Sequence, residues 1–143
     1  MPNPAPPFSR GEYERRLRAV RASMAEQNVD LLFCQDPSNM AWLTGYDGWS
    51  FYVHQGVLLT LEGEPVWWGR HMDSIGAGRT AWMHPDNIKG YADYFVQSTE
   101  VHPMQDLALY LRAKGFGEAR IGVEMENYYY SARAHQVMCE ELP

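Results

Sequence analysis

Cysteine is scarce in this chain, with two among 143 residues. Two thiols cannot build the bridged scaffold of a small secreted domain. Cys34, in an apolar run, and Cys139, in a helical pattern, read as reduced, buried thiols. Long apolar runs are missing as well. None approaches the roughly 20 residues that span a bilayer, which argues against a membrane protein. The opening "MPNPAPPFSR" lacks the charged-then-apolar order of a signal peptide, so a cytoplasmic protein is expected, with residues 1–8 as a loose Pro-rich arm. Positive charge is in deficit. The 12 Lys and Arg against 18 Asp and Glu leave a net charge of −6, which opposes attraction to nucleic acid or to an acidic membrane. The bases that do cluster (Arg10, Arg15, Arg16, Arg18, Arg21) are interspersed with Glu12, Glu14 and Glu26 and read as a solvated helix face.

The signatures of a self-contained catalytic centre are also absent. There is no G-x-S-x-G elbow, and neither cysteine sits in a reactive-looking context. The histidines (54, 71, 84, 102, 135) share no H-x-x-x-H or H-E-x-x-H spacing. Gly76-x-Gly78 lacks the third glycine of a dinucleotide fingerprint. Asp30 and Glu124 are the only acids centred on strands, too few for a two-metal nuclease, and strand-end hydrogen bonding is their simplest role. No catalytic residue, metal ligand or cofactor site is assigned.

What is present is a regular succession of elements. Ser9 and Glu12 have capping-box spacing, and Tyr13, Leu17, Val20 and Met24 then recur as one apolar stripe, which predicts a helix over 9–27. "VDLLFC" (29–34) reads as a covered central strand. Asp36-Pro37 caps a short helix over 38–43 that Gly45 stops. A strand over 51–61, a turn at "EGE" and a strand over 65–68 form a hairpin. Met72, Ile75, Arg79 and Trp82 have helical spacing, and "NIKGY" (87–91) is a brief strand. A helix over 103–113, a strand over 120–125 and a helix over 131–142 complete the chain. Helix–strand alternation interrupted by one hairpin predicts an α/β domain over 9–143, a mixed β-sheet flanked by helices on both faces.

The conspicuous stretch is "SNMAWLTGYDGWSFYVHQGVLLT" (38–60), where aromatic rings alternate with glycines and polar residues. As a strand from residue 51, it would place Phe51 and Val53 on one face and Tyr52 and His54 on the other. Polar tips on Trp49, Tyr52 and His54 suit a wet, concave rim that takes a compact cation or zwitterion. The alternative is that Trp42, Trp49 and Phe51 plug one end of the sheet. "VWWGRHMD" adds Arg70, able to clamp a carboxylate bidentately or to form an ion pair within the domain or between subunits.

The capped helix, "VDLLFC", "DPSNMAWLTGYDGW", "FYVHQGVLLT", "VWWGRHMD", "PDNI" and "IGVEM" resemble the amino-terminal domain of the creatinase/prolidase/aminopeptidase P family, over about residues 8–143. Within it, "PFSRGEYERRLRAVRASMAEQ" and "EMENYYYSARAHQ" are similar to a branch that hydrolyses a cyclic amidine. The resemblance implies a ribonuclease H-like topology and a non-catalytic role. Chemistry would belong to a carboxy-terminal "pita-bread" domain absent from this chain, which in some members holds divalent metal. It further implies a homodimer in which this domain reaches over the partner's active site, with a Phe and an Arg touching the small substrate. Counted from Asn39, the Phe falls on Phe51 but the Arg position holds Val53, which leaves His54 or Arg70 for the charge. The expected substrate-binding set is therefore Trp49, Phe51, Tyr52, His54 and Arg70.

Overall fold

The computed structural model describes residues 5–143, and residues 1–4 of the Pro-rich arm lie outside the described residues. The chain begins with α1 (Arg10–Glu26), β1 (Leu31–Cys34) and α2 (Pro37–Thr44). It continues through β2 (Gly56–Thr60), β3 (Val66–Arg70), α3 (Ser74–Thr80) and β4 (Ile88–Tyr91), and closes with α4 (Pro103–Ala113), β5 (Ile121–Val123) and α5 (Ala132–Glu141). The five strands form one sheet in the order β4-β3-β2-β1-β5. β2 runs antiparallel to β1 and β3, while β4 runs parallel to β3 and β5 parallel to β1. The C-terminal ends of β1, β3, β4 and β5 and the entry into β2 therefore share one end of the sheet.

Strand alternation sorts the core into two layers. Leu31, Phe33, Leu58, Trp68 and Tyr91 face α4 and α5, where Met104, Leu107, Leu111, Ala134 and Val137 meet them. Cys34, Val57, Leu59 and Trp67 face the other way, against Leu17 and Met24 of α1, Met40 and Leu43 of α2 and Ala77 of α3. This is the mixed α/β sheet with helices on both faces that the element order predicts. Burying each such side chain contributes about 1.5–3 kcal/mol.

Helix boundaries follow local chemistry. Asp36 accepts from Ser38 N at 2.8 Å and Asn39 N at 3.3 Å, Pro37 opens α2, and Gly45 closes it with φ +76°. Ser9 accepts from Glu12 N at 3.3 Å. Glu12 makes only half of the expected box. Its carboxylate turns to Arg15 and Arg16, which hold it down to about 2. A reciprocal box forms at α4 instead, where His102 Nδ1 accepts from Met104 N and Gln105 Oε1 accepts from His102 N.

Several expectations need correction. The solvated-face reading fails for Arg16, which is 5% exposed. Its guanidinium donates to Glu12 and to Trp42 O and stacks 4.1 Å over Phe8. Cys34 is buried as expected, but Cys139 is exposed on α5; both thiols are free. α3 is a helix, yet its Ile75 and the preceding Met72 point outward, and Ala77 makes the buried contact. The strand expected from residue 51 starts only at Gly56. Just before it, side chains take the carbonyls that a ladder would use: Tyr91 Oη donates to His54 O at 2.6 Å and Gln35 Nε2 to Gln55 O at 3.0 Å.

Candidate functional site

The segment from Tyr46 to Gln55 crosses the sheet end where four strands finish, the position at which open α/β sheets usually build sites. Its shape comes from buried polar ties. Tyr46 Oη donates to Gln55 Oε1 at 2.7 Å, and Val53 N donates to Ser50 O at 3.0 Å. Gly48 lets the backbone fold onto Tyr46, since a Cβ there would lie 2.0 Å from the phenol oxygen. Lashed at both ends, the loop pushes its remaining rings outward. Trp49 is 81% exposed and Tyr52 68%. That overturns the plug reading for Trp49, and Trp42 is exposed too, beneath the Arg16 guanidinium.

Phe51 is half-buried between Trp49 and Tyr129, at ring separations of 6.0 and 5.7 Å. Phe51, Tyr52, His54, Tyr128 and Tyr129 line an open cleft of about 390 Å³. Tyr128 and Tyr129 were not among the expected site residues. The run "NYYY" (127–130) carried the signal, but its proximity to Phe51 depends on a contact across 78 residues.

His54 divides this cleft from a smaller one of about 150 Å³ lined by Tyr52, His54, Tyr91, Val96, Gln97 and His102. Its ring packs 4.8 Å from that of His102. Burial, and secondarily His102, lower its pKa to about 4. At neutral pH His54 is therefore uncharged, a hydrogen-bonding ring rather than a cation. Its Nδ1 is buried and has no hydrogen-bond partner among the described residues.

Arg70 ends β3 beside the same loop. Its Nε and Nη2 grip Asp73 at 2.9 and 3.3 Å, and Nη2 reaches Tyr52 Oη at 3.3 Å. The Asp73 carboxylate holds the guanidinium well above its ordinary pKa. Of the two roles open to Arg70, the ion pair within the domain is the one formed, and a further carboxylate would have to compete with Asp73. The expected residues thus fall into an aromatic pair (Trp49, Phe51), a polar pair (Tyr52, Arg70) and the neutral His54 between the clefts.

Glu124 sets the spacing of this end of the sheet. Its Oε2 accepts from Gln35 N at 2.6 Å, Asp36 N at 2.8 Å and Asn127 Nδ2 at 2.9 Å, and its Oε1 accepts from Asn39 Nδ2. Asp30 accepts from Arg120 N at 2.8 Å. Both acids have the strand-end roles expected of them. Among the described residues, no group of three or more His, Cys, Asp or Glu side chains is placed to hold a metal ion.

An α/β domain of this architecture has known counterparts. Residues 16–142 match the Creatinase/Prolidase N-terminal domain, and the chain belongs to that family. It is 59% identical over 138 residues to the ectoine hydrolase of Halomonas elongata, covering 96% of this chain and 35% of that protein. It is 37% identical over 137 residues to an uncharacterized hydrolase/peptidase of Sinorhizobium fredii, covering 95% of this chain and again 35% of the relative. The chain thus spans about a third of the length of these relatives. Among solved structures, the N-terminal domain of an Xaa-Pro dipeptidase from Lactobacillus brevis superposes with a TM-score of 0.71 at 12% identity, covering 90% of this chain and 88% of that one. A domain of a dipeptidase from Streptococcus thermophilus gives 0.69 at 18% identity, covering 90% and 87%. At such identities the likeness is one of fold. No helix among the described residues is long and apolar enough to cross a membrane.

Proposed function

We propose that this chain is the non-catalytic amino-terminal domain of a cytoplasmic ectoine-hydrolysing enzyme, and that its aromatic rim covers a reaction centre held by the carboxy-terminal domain, in a homodimer across the subunit boundary. The observation that carries this reading is the 59% identity to an ectoine hydrolase across 96% of the chain. The rim chemistry supports it. Ectoine is a compact zwitterion, a cyclic amidinium bearing a carboxylate. Faces of Phe51, Trp49 and Tyr129 suit the delocalised cation, and the Tyr52 hydroxyl and the neutral His54 ring suit the carboxylate as hydrogen-bonding groups. Arg70 then acts by holding Tyr52. Any divalent metal used by the parent belongs to the carboxy-terminal domain, and two free thiols accord with a cytoplasmic setting.

The test compares the intact parent with the 143-residue chain. Ectoine hydrolysis by the parent and none by the chain is expected. Turnover by the chain alone overturns the non-catalytic role, and cleavage of Xaa-Pro dipeptides in place of ectoine overturns the substrate. Micromolar binding of ectoine by the isolated chain would favour a stand-alone binding module. Phe51→Ala in the parent should lower kcat/KM about ten-fold, the equivalent of losing about 1.4 kcal/mol of contact in the transition state, and a change below about two-fold removes Phe51 from the site.

A further inference from the structure

α5 and the residue before its cap bring a thiol, an imidazole and a phenol into line. His135 and Cys139 are four residues apart, one turn of helix, and so share a face. Cys139 Sγ lies 3.6 Å from His135 Nε2, and His135 Nδ1 lies 3.2 Å from Tyr130 Oη. Tyr130 is buried edge-on against Phe33. Burial, with a smaller contribution from Cys139, pushes its phenol up to about 12, so it stays a neutral hydroxyl. When Nδ1–H donates to that hydroxyl oxygen, the lone pair of Nε2 is left facing the sulfur. The order is nucleophile, base and orienting group, the arrangement that activates a thiol.

The surroundings give the thiol something to react with. Cys139 is free and exposed, and it lies on a groove of about 240 Å³ whose walls include Ile121, Val123, Met138 and Leu142. The nearby charges are engaged elsewhere. Glu140 pairs with Arg133 at 3.9 Å and accepts from Gln136 at 2.7 Å, while Glu141 pairs with Arg112 at 3.2 Å. The lining is apolar, so it favours a reagent with an apolar substituent beside its reactive atom. Cys34, buried beside Glu124 and Asp36 with its thiol pushed up to about 12, has none of these features.

We propose that Cys139 is a base-assisted modification site that exchanges with small disulfides carrying an apolar substituent. His135 Nε2 takes the thiol proton. The Cys139 thiolate attacks one sulfur of R–S–S–R, a new S–S bond forms and the old one breaks. The departing thiolate then receives the proton from His135, leaving a mixed disulfide on the chain and one R–SH in solution. Residue spacing alone does not mark this thiol as reactive, because the base and the orienting group become apparent only once α5 and the residues before it are in place. The proposal does not depend on the ectoine reading.

The experiment uses 2,2′-dithiodipyridine, an uncharged aromatic disulfide, on the native 143-residue chain, following release of the thiopyridone and locating the adduct by peptide mass. One rapidly reacting thiol, at Cys139, is expected, with Cys34 silent until the chain is denatured. The Cys139 rate should exceed that of an unfolded peptide spanning 132–142 by about ten-fold, and His135→Gln should remove most of that advantage. Tyr130→Phe should slow the reaction by a smaller factor with an unchanged circular dichroism spectrum. A Cys139 rate equal to that of the peptide, or one unaffected by His135→Gln, overturns the proposal. If His135→Gln fails to fold, the comparison of the native chain with the peptide decides alone.

Discussion

Acidification should destabilise this domain well before its carboxylates titrate, through the His54 ring. The folded chain holds that ring at a pKa of about 4, against 6.5 for a free imidazole. Because the folded value is the lower one, the unfolded chain takes up the proton first. The stability is fully present above pH 6.5, is lost as pH falls through the window from 6.5 to 4, and levels off below it. The whole gap corresponds to about 3 kcal/mol at about 1.4 kcal/mol per pKa unit. Between pH 7 and pH 5 the loss is about 2 kcal/mol, or roughly 6–10 °C of Tm for a chain of this size. His102 is lowered by burial and by Arg133, and so adds a contribution of the same sign. Glu12 and Glu64, held below their ordinary values by arginine partners and hydrogen bonds, act in a lower window, beneath pH 4.5. The assay is thermal unfolding by circular dichroism from pH 7.5 to 4.5, on the native chain and on His54→Gln. The native Tm should fall steeply below pH 6.5, and the variant should retain only the smaller slope due to His102. A Tm constant to within about 2 °C between pH 7 and pH 5, or an identical slope in the variant, would refute the buried neutral ring.

Other substitutions probe the scaffold. Glu124→Ala removes the acceptor for two backbone amides and two asparagines and should cost about 2 kcal/mol in urea unfolding; a cost below about 0.5 kcal/mol would show that water replaces the carboxylate freely. Arg16→Lys loses the stacking over Phe8 and the bond to Trp42 O and should cost about 2 kcal/mol, whereas Arg18→Lys on the exposed side should be neutral; equal effects would contradict the buried role of Arg16.

Much of the fold was legible because helices and strands declare themselves over short distances. The Ser9 and Asp36 caps, the Gly45 stop and the alternation of Leu58 and Leu59 are local facts. What local spacing could not show were partners arriving from far along the chain. Tyr91 and Gln35 take the carbonyls of His54 and Gln55, so a sequence rich in strand formers stays a loop until Gly56. α3 has the right period on the wrong face, because it approaches the sheet through Ala77 and turns its larger Ile75 to solvent. Arg16 looks like one more surface base until Trp42, Phe8 and Glu12 close around it. The aromatic rim could be located from its glycines and polar tips. Its division into two clefts could not, since the His54–His102 contact joins positions 48 residues apart.

The single carboxylate of Glu124 joins the exit of β1 and the first turn of α2 to the loop that carries Tyr128 and Tyr129. α2 in turn leads into the segment bearing Trp49 and Phe51. Both banks of the open cleft are hung from one bracket, so neither can slide without dragging on the other. Losing that one carboxylate would therefore loosen the two walls together, not one at a time.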